Sequence, residues 1–391
     1  MSEWHYERIS DLGRVVTGST PPAKHPEWFG GGTPFLTPSD ISAGERRARP
    51  QRRLSPEGRI GLRSRLVPRG SVCFVSIGAT IGKICLTEVE SITNQQINTV
   101  VPWTKTDAHF IYYLLRNEAS RIASTAGGAA TPLLNKTAFA AVMVSVPDLS
   151  TQNKIGAILC ALDDLIENNR QRMRVLDDMS RAIYSEWFVH FRYPGHQNVT
   201  LVDSPLGPIP GDWTVATLGQ VLELCYGRAL KKEDRRGGTT AVVSSAGIVG
   251  WHDEHRTDGS TIVVGRKGNV GSVTWVDGPC WPIDTAYYVK TDLPLRYVVE
   301  QLRRTEFLNT HAAVPGLSRE QAYSRPFLKP TRGPMGQFAA LSQVLASAAS
   351  VIAAEAERLR SMRDLLLPKL VSGQIDVSSL DLEALFEGSV A

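Results

Sequence analysis

Residues 147–188 read PDLSTQNKIGAILCALDDLIENNRQRMRVLDDMSRAIYSEWF. Ile155, Leu162, Asn169, Leu176 and Ile183 recur every seven positions, flanked by Ile158, Leu159, Leu165, Ile166, Met173 and Met179. Apolar side chains at that interval line one stripe of a helix and mark a coiled-coil seam. Residues 330–371, PTRGPMGQFAALSQVLASAASVIAAEAERLRSMRDLLLPKLV, repeat the pattern. Pro147, Ile155, Leu162, Leu176, Met179 and Ile183 pair with Pro330, Phe338, Leu345, Leu359, Met362 and Leu366, each 183 positions on. The second heptad runs Phe338, Leu345, Ile352, Leu359 and Leu366, beside Ala348, Ala349, Ala353 and Ala356. Two long helices are predicted, one mid-chain and one near the end. Asn169 is a polar group in an apolar seam, which lowers stability and fixes register.

The segments before the helices repeat as well. Trp4, Ile9 and Gly18 match Trp213, Leu218 and Gly227 at a separation of 209, Gly70 and Gly82 match Gly259 and Gly271 at 189, and Pro132 and Leu134 match Pro315 and Leu317 at 183. The second unit is thus the first with about 26 residues removed, as loops allow. Within each unit, Gly70–Ser76 and Gly259–Gly265 are short β-rich runs, Tyr287, Tyr288 and Val289 suggest another strand, and Ala108–Ala123 and Leu295–Asn309 have helical spacing. The fold class expected is mixed α/β (α+β): two globular modules, two long antiparallel coiled-coil helices and a pseudo-two-fold repeat. The divisions are 1–147 for the first module, 148–190 for the first helix, 191–212 for a Pro/Gly-rich linker, 213–330 for the second module, 331–375 for the second helix and 376–391 for a tail. A helix that leaves one module for the next obliges its partner to return. At about 1.5 Å per residue such a rod measures on the order of 50 Å and would space the modules.

Composition narrows the function. The 391 residues are 42% hydrophobic, enough for two or three domains. Cys73, Cys85, Cys160, Cys225 and Cys280 are scattered, without a zinc-ribbon or disulfide spacing, which suits a reducing cytoplasm. The opening MSEWHYERIS lacks a signal-peptide core, and no uninterrupted apolar run reaches about 18 residues, so a soluble, cytoplasmic protein without a membrane partner is expected.

Net charge is only +4, so the placing of the arginines matters more. Nine lie between Arg46 and Arg69, namely Arg46, Arg47, Arg49, Arg52, Arg53, Arg59, Arg63, Arg65 and Arg69, and the second module has Arg228, Lys231, Lys232, Arg235 and Arg236 in its early part. Clusters in both halves of a repeat favour phosphate neutralisation over a merely solvated face. A protein with two similar modules suits a duplex that presents equivalent groove faces about every 34–36 Å. Reading bases needs side chains with defined donors and acceptors. Candidates beside glycine-rich turns are Thr37, Ser39, Asp40, Thr80, Lys83, Gln95 and Gln96 in the first module. In the second they are Ser244, Ser245, Arg266, Lys267, Asn269, Asp284 and Thr285.

The tracts 147–188 and Met362–Val377 resemble the two helical regions of the specificity subunits of type I restriction-modification systems. GRKGNVGSV (265–273) and NQQIN (94–98) are similar to patterns in that family's target recognition domains. The resemblance covers nearly the whole chain. It implies a non-catalytic subunit whose two target recognition domains read a bipartite site in double-stranded DNA. The helical spacer, with seams Ile155, Leu162, Asn169, Leu176, Ile183 and Phe338, Leu345, Ile352, Leu359, Leu366, would dock two modification subunits. Those subunits would carry S-adenosylmethionine and methylate adenine at N6; this chain needs no cofactor. A restriction/translocase subunit would complete a site-specific endonuclease. The sequence departs at Thr151-Gln152-Asn153, where the family often has an acidic residue before Gln, without an evident reason to abolish docking.

Other signals carry less. Ser76–Lys83 fails as a P-loop because its glycines are too close and Ile84 replaces Ser/Thr. His252-Asp253-Glu254-His255 lacks a third ligand at a known spacing and reads as surface, so no metal is expected. No amino-methyltransferase tetrapeptide or glycine-rich cofactor loop occurs. The rival expectations are a coiled-coil adaptor that binds only proteins, and a single-chain enzyme that would modify DNA without partners.

Overall fold

The computed structural model describes residues 3–127, 132–307 and 316–380. Pro315, Asn309 and residues 381–391 of the expected tail lie outside them. The chain divides into two compact units, residues 1–170 with 354–391, and residues 171–353.

In unit 1 a four-stranded antiparallel sheet is built from β1 (Gly13–Thr17), β2 (Val72–Val75), β3 (Ile84–Leu86) and β4 (Ile97–Pro102), in the order β1-β4-β2-β3. Helix α1 (Ala108–Asn117) covers it, with Phe110 to Leu115 all buried. Its N-terminus is capped by Asp107, whose carboxylate accepts the Phe110 N–H at 2.7 Å. A second sheet orders Arg52–Leu54, Phe29–Leu36, Ser91–Thr93 and Leu66–Val67, with its two central strands parallel.

Helix α2 (Leu149–Phe188) starts at Asp148, which accepts the Thr151 N–H and hydroxyl, both at 3.0 Å. The backbone N–H of Thr151 holds the Asp148 carboxyl below its usual range, as a helix N-terminus does for an anion.

Unit 2 repeats the first sheet with β5 (Glu223–Tyr226), β6 (Thr261–Gly265), β7 (Val273–Val276) and β8 (Ala286–Lys290), in the order β5-β8-β6-β7, again antiparallel. Helix α3 (Leu295–Arg304) takes the place of α1. The second sheet has Gly247–His252, Thr240–Ser244 and Cys280–Pro282, with a parallel pair matching that of unit 1. It lacks a fourth strand. The residues missing from the second module therefore include a helix (Pro56–Gly61) and an edge strand (Leu66–Val67) of the first, and the deletion is not confined to bare loop.

Helix α4 (Arg332–Val371) closes the repeat and ends at Gly373, whose φ of +76° and contact with Trp4 leave no room for a side chain. In each unit the two long helices run antiparallel. Lys154 donates to the Ser378 carbonyl at 2.6 Å and Arg363 to Asp163 at 2.6 Å in unit 1, while Ser180 meets Ser342 at 2.8 Å and Tyr184 packs on Phe338 in unit 2. Ile155, Asn169, Phe338 and Ile352 are buried, and Leu162, Leu176, Ile183, Leu345, Leu359 and Leu366 half-buried. Leu165, Met179 and Met362, which flank the seams, are exposed.

Part of the packing is polar. Asp163 accepts from the Tyr113 hydroxyl at 2.7 Å and from Arg363, with Arg116 at 3.9 Å, so three helices meet at one carboxylate. Burial pushes the Tyr113 phenol well above its ordinary value and Asp163 adds to the shift. Burial opposes charge on Arg363, but Asp163 and Asp364 outweigh it and hold the guanidinium above its usual value.

One helix is long and apolar enough, by length and composition, to cross a membrane. An 18-residue window of α4 has mean hydropathy 1.5 and is 17% buried. Scattered Ser and Gln interrupt its apolar run, which is why counting uninterrupted residues misses it.

Candidate nucleic-acid interface

Five segments converge at one end of the first sheet in unit 1. The β2–β3 connection, Ser76–Lys83, is tied to the NQQIN segment by Ser76 N–H donating to the Gln96 carbonyl at 2.8 Å. It is tied to Leu134, whose N–H donates to the Ser76 carbonyl at 2.9 Å. Asn94 N–H donates to Leu36, one residue before Thr37, at 2.9 Å, and Ser19 N–H to Thr93 at 2.8 Å. Unit 2 reproduces these bonds at the repeated positions. Arg266 N–H donates to Thr285 at 2.9 Å, Leu317 N–H to Arg266 at 2.8 Å, Ile283 N–H to Val243 at 2.8 Å and Arg228 N–H to Pro282 at 3.0 Å. Two glycine pairs make this possible. A Cβ on Gly18 or Gly227 would lie 2.1 Å from the carbonyl oxygen of Thr93 or Ile283. Gly82 and Gly271 have φ of +91° and +76°.

The candidates thereby sort themselves. Thr80, Lys83, Gln95, Gln96 and Thr37 gather in the first module, and Arg266, Lys267, Asn269, Asp284, Ser244 and Arg228 in the second. Gln95, Lys267, Asn269, Asp284 and Arg228 are exposed. Several hydroxyls are occupied locally: Thr37 bonds Asp40 at 2.7 Å and meets Ser39 at 2.8 Å, Thr80 donates to Ile77 at 3.2 Å, and Ser244 accepts from Ala246 N–H at 3.0 Å. Gln95 accepts from the Thr20 hydroxyl at 2.5 Å, and Gln96 from the Asn94 amide at 3.2 Å.

Most of the arginine-rich segment lies elsewhere in its unit, while Arg65 reaches the cluster by donating to the Thr17 carbonyl at 3.2 Å. Arg46 pairs with Asp164 on α2, Arg47 with Glu88 at 3.0 Å, Arg49 with Glu45 at 3.6 Å and Arg59 with Glu90. Arg52 stacks on Phe29 with 3.6 Å to the ring centre, and Arg53 donates to the Gly32 carbonyl at 2.8 Å. Among the described residues Arg52, Arg53, Arg63, Arg65 and Arg69 have no carboxylate within 4 Å. The two basic clusters do not occupy matching positions, contrary to the sequence reading. The hydrogen bonds place Arg228 opposite Ser19, because a shared count of charges does not fix a shared register. Lys231 and Lys232, on an exposed turn, follow Arg228.

His252 also departs from expectation. It is 3% exposed and packs edge-on against Trp281, while Arg236 binds both Asp253 and Glu254. The ligand atoms of His252, Asp253 and Glu254 lie within 4.8 Å of one another, and the Arg236 guanidinium already pairs with both acids. The five cysteines are buried and unpaired.

Sequence reasoning missed the residues beneath these loops. In the first module Thr17 donates to Asn98 Oδ1 at 2.6 Å, and Asn98 donates to Ser76 Oγ at 2.8 Å and to the Leu134 carbonyl at 3.1 Å. In the second, Tyr287 donates to the Leu317 carbonyl at 2.9 Å, and Arg266 lies over Tyr226 and Tyr287. Burial, with the neighbouring Tyr226 hydroxyl, pushes the Tyr287 phenol up to about 12 and keeps it a donor.

The fold and loop clusters define a protein of two repeated α/β modules, each presenting polar side chains on main-chain-anchored loops. Residues 1–177 match the family model described as type I restriction modification DNA specificity domain. It is 27% identical over 226 residues, 57% of its length, to the type I restriction enzyme MjaIX specificity subunit of Methanocaldococcus jannaschii. It is 30% identical over 177 residues, 43% of its length, to the HindI specificity subunit of Haemophilus influenzae. The chain spans about half the length of the first relative (52%) and 38% of the second. A solved type I restriction-modification S subunit from M. genitalium shares the fold, with a TM-score of 0.58 at 16% identity, covering 94% of this chain and 96% of that one.

Proposed function

We propose that the chain is the DNA specificity subunit of a type I restriction-modification complex, with each module reading one half of a bipartite site in double-stranded DNA. The observation that carries this reading is the duplicated loop cluster, in which identical backbone bonds present different side chains. Different side chains on one scaffold suit unlike half-sites, since base edges are told apart by donor and acceptor pattern. The match of residues 1–177 to the DNA specificity domain model supports it. The chain acts without chemistry of its own. Methylation of adenine N6 belongs to two modification subunits that bind S-adenosylmethionine, and cleavage to a restriction subunit. Their docking face consists of apolar residues that the long helices leave in solvent, including Val344 (65% exposed) and Val351 (71%), which lie seven apart on one face of α4.

The test is expression with and without the cognate modification subunit, followed by base-resolution mapping of adenine methylation on a plasmid. Methylation at one interrupted motif, present only with both chains, is the expected result. No methylation from a soluble complex with cofactor supplied would overturn the reading in favour of a protein-binding adaptor.

A further inference from the structure

The two modules share their backbone bonds at the loop cluster, yet the side chains beneath differ in kind. Where the first module has Thr17, Ser76 and Asn98 in a neutral hydrogen-bonded chain, the second has Tyr226, Arg266 and Tyr287. Arg266 lies 5.0 Å from the Tyr226 ring centre and is fixed by donating to the Asp284 carbonyl at 2.9 Å. A second guanidinium, Arg319, lies 4.1 Å from the same ring, and its Nε is buried with no acceptor among the described residues. Neither arginine has a carboxylate within 4 Å among the described residues, whereas Arg236, Arg296 and Arg303 of this unit do. Tyr226 itself is 49% exposed.

Two positive groups against one ring repel each other, and the ring's attraction offsets only part of that cost. An anion between them removes the repulsion. Planar guanidiniums held by stacking are already oriented for phosphate oxygens. We propose that Arg266 and Arg319, seated on Tyr226, form a DNA phosphate clamp that only the second module possesses. The clamp rests on the reading of the chain as a DNA specificity subunit. In the first module Lys136 stands 183 positions before Arg319, at the equivalent place, but has Thr17 instead of the aromatic seat.

The experiment measures binding of the full chain with its modification partner to duplexes carrying the mapped motif, across a salt series. Wild type should show log affinity falling linearly with log salt. Arg319→Ala and Arg266→Ala should each flatten the slope by about 0.9, the value for one phosphate contact. Arg319→Lys should keep most of the slope. Matching circular dichroism spectra and melting midpoints exclude misfolding as the cause. Unchanged slopes with a salt-dependent wild type would overturn the clamp alone, as would a changed base preference with the slope preserved. A wild-type complex with no salt-dependent binding would instead overturn the DNA-reading function itself.

Discussion

Replacing Arg363 by alanine should loosen the joint between α1, α2 and α4 in unit 1. Arg363 is 5% exposed and donates to Asp163 at 2.6 Å. Its removal strands a nearly buried carboxylate, a change that typically costs about 3–5 kcal/mol. The Tyr113 hydroxyl at 2.7 Å and Arg116 at 3.9 Å still serve Asp163, which puts the expected loss near the lower end, about 3 kcal/mol. By hydrogen exchange, the protected amides of α1 should then open roughly a hundredfold more often, at about 1.4 kcal/mol per tenfold. The paired change Asp163→Asn with Arg363→Met removes both charges and should recover most of the loss. A change below about 1 kcal/mol, the usual worth of an exposed pair, or a double variant as labile as the single one, would refute the argument.

Two further outcomes are expected. Burial, outweighing the nearby Arg116, raises the Tyr112 phenol to about 12. The unfolded chain, where a phenol titrates near about 10, releases that proton first, so stability is intact below pH ~10 and falls as pH rises towards ~12. Tyr112→Phe should reduce the slope of stability against pH in that window by up to one proton and cost little at neutral pH, because its hydroxyl has no well-formed hydrogen bond among the described residues; an unaltered slope in denaturant titrations would contradict this. Val344→Asp with Val351→Asp should abolish co-purification of the modification subunit while leaving helicity unchanged, and undiminished capture would exclude this face as the docking surface.

The heptads made the long helices legible because a seam is a local periodic signal that needs no knowledge of what it packs against. The loop clusters were legible through glycines. Gly18, Gly227, Gly82 and Gly271 mark places where the backbone passes too close or turns too sharply for another residue. What stayed hidden depends on partners far away in sequence. The counted arginines gave no hint that Arg46 would be drawn to Asp164 or Arg59 to Glu90. Arg319 looks like an ordinary helix residue until Tyr226 is brought beneath it, and Asp163 like one of many acids until Tyr113 and Arg363 converge on it.

The loops of both modules hang in large part from peptide groups, through N–H and carbonyl pairs such as Ser76 with Gln96 and Arg266 with Thr285. A peptide bond is indifferent to the side chain it carries. Residues in this socket consequently differ between the modules without dismantling its frame, as Thr17 and Tyr226, Ser76 and Arg266, or Asn98 and Tyr287 already illustrate within one polypeptide. A combinatorial library confined to exposed loop positions of one module, such as Lys267, Asn269 and Asp284, would sample new recognition chemistry at little risk to folding, with the unaltered module serving as the fixed address.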